Sequence, residues 1–207
     1  QAVFAELGVP HATHLDITDR AHAHSAEVTD QILDTDGLFI SGGDQRRLMA
    51  LLWETAAFSA LHTAFHLRGC CIAGTSAGAA VLSRHMLAQG DTPRLPEKEA
   101  AELDLGLGFV SRAIIDQHFS ERGRLGRLLS VLAQRPDMLG VGIDEDTALV
   151  IEDDRFDYGE RRFYALGYIG NRLHTLIYAD GSHDDTIRAI SLWRSTRSEV
   201  KRYETEV

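Results

Sequence analysis

Apolar positions along this chain recur with two periods, and the two alternate. Short apolar runs suited to strands occur at Gly37-Leu38-Phe39-Ile40-Ser41, at Cys70-Cys71-Ile72-Ala73, at Ala113-Ile114-Ile115 and at Leu139-Gly140-Val141-Gly142-Ile143. Thr13-His14-Leu15-Asp16-Ile17 alternates polar and apolar and predicts a further strand. Between these runs the spacing is helical. Ala2–Leu7 reads as the tail of a helix closed by Gly8, and Ser25–Leu33 as a helix capped by Ser25 or Thr29. From Arg46 to Leu67 the apolar residues Leu48, Leu51, Leu52, Ala56, Ala60, Leu61, Ala64 and Leu67 follow one helical period. Gly123–Gln134 predicts a helix with Leu125, Leu128, Leu129 and Leu132 inward. Alternating strands and helices imply an α/β fold, a mostly parallel sheet flanked by helices, with ligands at the carboxyl ends of its strands. Gln89–Asp104 is polar, contains Pro93 and Pro96, and predicts a loop over that edge. Arg162–Tyr168 and Leu173–Tyr178 predict antiparallel strands, and Ile187–Ile190 a last strand or short helix.

One stretch stands out against this background. Gly74-Thr75-Ser76-Ala77-Gly78 follows an apolar strand and runs into Val81–Leu87, which can be helical. Strand, sharp turn and helix around Gly-x-Ser-x-Gly is the setting of a nucleophile elbow. There a serine is held in a strained turn at the end of the sheet, with the next amide directed at a developing oxyanion. Ser76 and Ala77 would take those roles. A plain Gly/Ala-rich turn before a close-packed helix has the same composition.

Composition narrows the partners. The 31 acidic residues against 21 basic ones leave a net charge of −10, which disfavours nucleic acid and anionic membrane. No window has the length of an uninterrupted apolar span. Cys70 and Cys71 are neighbours on a strand, point to opposite faces and predict small core residues rather than a disulfide, in a reducing compartment. The chain is expected to form one domain over residues 1–207. Opening in mid-helix, it suggests that something precedes Gln1.

A serine nucleophile needs a base, and the base an orienting group. His118 closes an apolar strand on the same edge as Ser76 and is the candidate base, with a structural histidine capping the strand as the alternative. Asp144, Glu145 and Asp146 close another strand on that edge, and any of them can orient the base. Arg122, Arg124 and Arg127 follow His118. Guanidinium forks suit carboxylates, which points to a substrate carrying them; a solvated helix start is the alternative. His11, His14, His22 and His24 lack a zinc-type pattern, and Glu152-Asp153-Asp154 lacks calcium-loop spacing. No metal or other cofactor is expected.

Taken together, Gly42-Gly43-Asp44-Gln45, Gly74–Ala80, Asp116-Gln117-His118-Phe119-Ser120-Glu121-Arg122-Gly123-Arg124-Leu125-Gly126-Arg127 and Gly142-Ile143-Asp144-Glu145-Asp146-Thr147-Ala148 resemble the cyanophycinases. These are serine peptidases related to aspartyl dipeptidase (peptidase E), on a fold related to class I glutamine amidotransferases. The resemblance runs from near residue 1 to about residue 151, and the Asp-Gln-His-Phe block with its arginines separates it from aspartyl dipeptidase. It implies Ser76 as nucleophile, His118 as base and Glu145 as orienting acid, with oxyanion amides at Ala77 and Gly43. It further implies Gln45, Asp116, Gln117, Arg122, Arg124 and Arg127 around a substrate pocket. The implied reaction is exopeptidase cleavage of cyanophycin, a poly-aspartate with arginine on each side chain, to β-aspartyl-arginine dipeptides. The arginine cluster would meet aspartyl carboxylates, and Asp116 the substrate guanidinium. A homodimer and a cytoplasmic location are implied as well. Family members open with a further strand and glycine-rich segment, so a missing first βα unit is expected. An aspartyl dipeptidase and an inactive carboxylate- or peptide-binding homologue are the alternatives.

Overall fold

Two parallel strand pairs carry the carboxyl-terminal edges on which the motifs fall. In this computed structural model, which describes residues 2–93, 95–97, 100–151, 162–170, 172–180, 187–196, 199–201 and 203, β1 (Gly37–Ile40) pairs in parallel with β2 (Cys71–Gly74). The second pair is β5 (Ala113–Gln117) with β6 (Leu139–Ile143). A β3–β4 hairpin (His85–Gly90, Ala101–Leu105) and an antiparallel meander of β7 (Arg162–Ile169), β8 (Arg172–Asp180) and β9 (Ile187–Arg194) complete the strands. The chain is therefore α/β, but among the described residues its strands form four small sheets rather than one continuous parallel sheet.

The helices follow local chemistry. α1 (Ala2–Glu6) ends at Gly8, whose φ of 83° lets the Val9 amide reach the Phe4 carbonyl at 2.9 Å and the Gly8 amide reach Ala5 at 3.0 Å. Ser25 caps α2 (Ala26–Leu33), its Oγ accepting the Val28 amide. The spacing read as one run over Arg46–Leu67 is broken into α3 (Gln45–Leu52) and α4 (Ala56–Arg68), which meet at 97°. Glu54 at φ 56° turns the chain there, and Thr55 starts α4 by accepting the Phe58 amide. α4 is buried on nearly every side, against α2 and the larger core.

Other expectations are corrected. Thr13–Ile17 joins no ladder; Leu15 and Ile17 pack on the core while their neighbours face out, so the alternation records one-sided burial without a partner strand. Val81–Leu87 is not helical. α5 (Ala77–Ala80) is one turn, because the Val81 carbonyl is taken by the Leu107 amide and Arg84 donates to the Val110 carbonyl, which turns the chain into β3. Met86, Leu87 and Ala88 are all buried, as a strand covered on both faces requires. The expected loop Gln89–Asp104 is in part strand, its ends belonging to β3 and β4. Leu125 and Leu129 face outward at 58% and 41% exposure, because α6 (Leu125–Gln134) turns Arg124, Arg127, Leu128 and Val131 inward. Cys70 is buried as expected but Cys71 is exposed, and both are free thiols. Ile187–Ile190 lies in β9. The Glu152-Asp153-Asp154 turn lies outside the described residues.

Within the larger core, His62 on α4 stacks among Phe58 (ring centroids 4.6 Å apart), Phe109 (4.8 Å) and His66 (5.5 Å). Burial lowers its pKa from the ordinary 6.5 to about 4. In the unfolded chain this histidine takes a proton below about pH 6.5, whereas in the folded chain it stays neutral down to about 4. Its stabilising contribution is therefore complete above pH 6.5 and is lost as the pH falls toward 4, by roughly 3 kcal/mol. Urea unfolding of the wild type and of His62→Phe across this range should show a shallower acid slope in the variant. Equal slopes would contradict the assignment.

Candidate active site

The ends of β1, β2, β5 and β6 supply the site. Leaving β2, the chain reaches Ser76 at φ 53° and ψ −121°, a conformation that costs a non-glycine residue about 1–3 kcal/mol. The surroundings over-determine it. The Thr75 amide donates to the Ile40 carbonyl at 3.0 Å, and the Ala79 and Ala80 amides donate to the Ser76 carbonyl. A Cβ on Gly78 would overlap the Ile40 carbonyl, and one on Gly74 would overlap the Gly78 carbonyl. The two glycines of the Gly-x-Ser-x-Gly motif are thus required by backbone contact.

β1 leads into the Gly42-Gly43 turn. A Cβ on Gly42 would stand 3.1 Å from Ser76 Cβ and 3.5 Å from its Oγ, so this backbone lies directly against the serine side chain. Gly43, at φ 142°, uses a conformation open to glycine. Asp44 then caps α3 through the Arg46 and Arg47 amides, which hold its carboxyl below the usual range. Among the described residues, neither the Gly43 nor the Ala77 amide donates to another main-chain group.

β5 leads into His118, also at positive φ (49°). His118 Nε2 lies 3.0 Å from Ser76 Oγ, and Nδ1 lies 2.9 Å from Glu145 Oε1. A carboxylate only accepts, so Nδ1 carries the proton and Nε2 accepts the serine hydroxyl. The imidazole is 25% exposed and the Glu145 side chain 58%. A hydroxyl in this setting can pass its proton to the ring as it attacks an electrophile.

Three contacts join the loop after His118 to the end of β6. The Phe119 amide donates to the Ile143 carbonyl (3.1 Å), the Ser120 amide to Asp144 Oδ1 (2.8 Å), and the Glu145 amide to Glu121 Oε1 (3.1 Å). The Ser120 hydroxyl and amide hold the Asp144 carboxyl below the usual range. Of the three acids left open by the sequence, Glu145 faces the imidazole and Asp144 pins the loop. Neither contact of Ser120 or Glu121 is legible in the sequence, which shows them only as part of the block around His118. The approach of Phe119 to β6 was missed too, although a glycine inside a strand marks it: a Cβ on Gly142 would meet the Phe119 ring.

The expected substrate-binding residues behave differently. Asp116 is 1% exposed and is held by Arg127 through Nε (2.7 Å) and Nη2, and by Arg124 Nη1 at 3.3 Å. Its carboxylate is thus occupied by two guanidinium groups of the chain itself. Arg124 and Arg127 are buried with it, their guanidinium groups turned to the Asp116 carboxylate. Gln117 Oε1 accepts from Arg124 at 3.0 Å. The Gln45 amide donates to the Leu87 and Ala88 carbonyls, both at 2.9 Å, and ties α3 to β3. Arg122 alone of the three arginines is exposed. The His11, His14, His22 and His24 group is not gathered around one point. His24 Nδ1 accepts the Ala56 amide, and no cluster of three or more metal-binding side chains forms among the described residues.

Fold and site together define an α/β protein whose elbow serine is hydrogen-bonded through an imidazole to a carboxylate. The chain matches Peptidase family S51 over residues 1–159 and belongs to that family. It is 40% identical over 152 residues to a cyanophycinase of Trichormus variabilis, covering 73% of this chain and 51% of that protein. It is 42% identical over 152 residues to a cyanophycinase of Synechococcus elongatus (73% and 47%), and 37% identical over 155 residues to one of Geminocystis herdmanii (75% and 57%). The chain thus spans about half the length of these curated relatives. A solved peptidase from an acI-B1 actinobacterium aligns with a TM-score of 0.48 at 18% identity, over 94% of this chain and 73% of that one.

The backbone crossing at Gly78 supports a direct test. Gly78→Ala should destabilise the chain by about 1–3 kcal/mol or more, because the clash is with main chain that cannot move alone. Thermal unfolding read against the wild type measures this, and an unchanged melting temperature would contradict the close packing.

Proposed function

We propose that this chain is a serine-type exopeptidase that hydrolyses cyanophycin and releases β-aspartyl-arginine dipeptides. The observation that carries the reading is the continuous hydrogen-bonded path from Ser76 Oγ to His118 (3.0 Å) and from His118 to Glu145 (2.9 Å). The substrate class is supported by the name shared by the relatives.

In this reading Ser76 Oγ attacks the carbonyl of an aspartyl backbone amide as its proton passes to His118 Nε2. Glu145 holds the Nδ1 tautomer and stabilises the imidazolium. The carbonyl oxygen becomes an oxyanion facing the Ala77 amide and the Gly42-Gly43 turn. Collapse breaks the C–N bond, and the leaving amine takes the proton from Nε2. Water, deprotonated by the same imidazole, then attacks the acyl ester and frees Ser76. In this reading exposed Arg122, whose amide donates to the His118 carbonyl (3.2 Å), meets a substrate carboxylate, which its exposure and its closeness to His118 support.

Incubation with cyanophycin and mass detection of β-aspartyl-arginine tests the reading. The wild type should release the dipeptide, and Ser76→Ala should lower the rate at least about 10³-fold while keeping its fold. Cleavage of α-aspartyl dipeptides with the polymer left intact would replace the substrate class. An active Ser76→Ala would overturn serine catalysis.

A further inference from the structure

The arginines that follow His118 meet the strand that delivers it. Arg127 binds the Asp116 carboxylate side-on, through Nε to Oδ2 and Nη2 to Oδ1. Asp116 Oδ1 also reaches Arg124 Nη1 at 3.3 Å. The same Nη1 contacts the Gln117 side-chain oxygen at 3.0 Å and, at short range, the Gln117 main-chain carbonyl. A chain of contacts thus runs from α6 through Asp116 to the last peptide of β5.

That peptide leads into His118. The Gln117 carbonyl and the His118 amide share one rigid plane, so a bond to the carbonyl oxygen fixes the orientation at which the chain enters His118. His118 sits at φ 49°, which a non-glycine residue keeps only where its surroundings enforce it. Arg122 and Arg124 also return to the turn through the backbone, their amides donating to the carbonyls of His118 (3.2 Å) and Phe119 (3.0 Å). We propose that Arg124 is a positioning residue: its guanidinium clamps the Gln117 carbonyl and thereby sets the aim of the His118 imidazole at Ser76. The inference rests on the reading of Ser76 as nucleophile and His118 as base.

Two further observations agree. Arg124 is buried, and Asp116 and Gln117 supply acceptors to its Nη1 alone, while the buried Nε has no hydrogen-bond partner among the described residues, so the guanidinium is anchored at the end that meets the Gln117 carbonyl. Burial and the adjacent Arg127 draw its pKa below the usual arginine value, and Asp116 opposes that shift. A guanidinium binding substrate directly would raise KM when removed; a clamp on the base alters the chemical step.

The test uses Arg124→Gln and Arg124→Lys. Cyanophycin hydrolysis gives kcat and KM, and proton NMR follows the His118 Nδ1–H resonance, which is absent in a His118→Ala reference. Arg124→Gln is expected to lower kcat about 10²-fold with KM changed less than about 3-fold, and to lose or shift the His118 signal. Arg124→Lys, which keeps a cation opposite Asp116, should recover part of both and carries the test if the glutamine variant does not fold. A rise in KM at constant kcat would overturn the proposal in favour of substrate binding. A fall in kcat that only tracks the folded fraction, with the His118 signal intact, would overturn it in favour of a structural role. Ser76→Ala in the same assay reports on the underlying reading separately. If that variant stays active, the resonance alone decides whether Arg124 positions His118.

Discussion

Two backbones cross at van der Waals contact where β1 and β2 end, and the rest of the site depends on that crossing. The Ile40 carbonyl accepts the Thr75 amide and leaves no room for a side chain on Gly78. α5 can therefore start only if the chain turns sharply at residue 76, which puts Ser76 at φ 53°. The same crossing brings the Gly42-Gly43 turn against the serine side chain. Strain at one residue is offset by hydrogen bonds and packing spread over its neighbours, so the hydroxyl is held in place before any substrate arrives.

The imidazole comes from the other parallel pair, so the two sheets must be held in register. Ser83, buried just beyond α5, accepts the Ile115 amide of β5 at 3.2 Å and forms a bridge with Val110. At the far end of β5 a buried carboxylate and two arginines set the electrostatics. Losing Asp116 would leave two cations without their partner, which in buried pairs costs about 3–5 kcal/mol. The loop from His118 to Arg124 is fastened to β6 on one side and to α6 on the other. The relay from Ser76 to Glu145 is thus assembled from three strand ends, β2, β5 and β6, by contacts that lie mostly outside the relay itself.

Much of this was legible in the residues. Short apolar runs marked β1, β2, β5 and β6 because these strands are bounded by glycine or polar turns. Gly74 and Gly78 marked the elbow because only glycine fits the crossing. His118 and the Asp144-Glu145-Asp146 group were legible as strand endings on one edge. What stayed hidden depended on tertiary pairing. The Val81–Leu87 run has helical spacing, but distant main-chain partners at Leu107 and Val110 draw it into β3. The spacing of Leu125 and Leu129 predicts an inward face because a leucine stripe is the ordinary core signal. Arg127, paired with the buried Asp116, instead shares the inward face of α6 with Leu128 and Val131, which leaves Leu125 and Leu129 outside. The same pairing hides the fate of Arg124 and Arg127, since a sequence shows a basic cluster but not the acid that consumes it.

The central claim is that the hydroxyl of Ser76 is a nucleophile activated by His118, and covalent capture tests it most directly. A fluorophosphonate presented to the folded protein should form one adduct, with Ser76 Oγ bonded to phosphorus and fluoride displaced, located on the peptide containing Ser76 by mass spectrometry. The rate should collapse in His118→Ala, because the base that accepts the serine proton is gone. Labelling at Ser76 that depends on His118 is the result this mechanism requires. An unlabelled Ser76 in the folded protein, or labelling indifferent to His118, would contradict it.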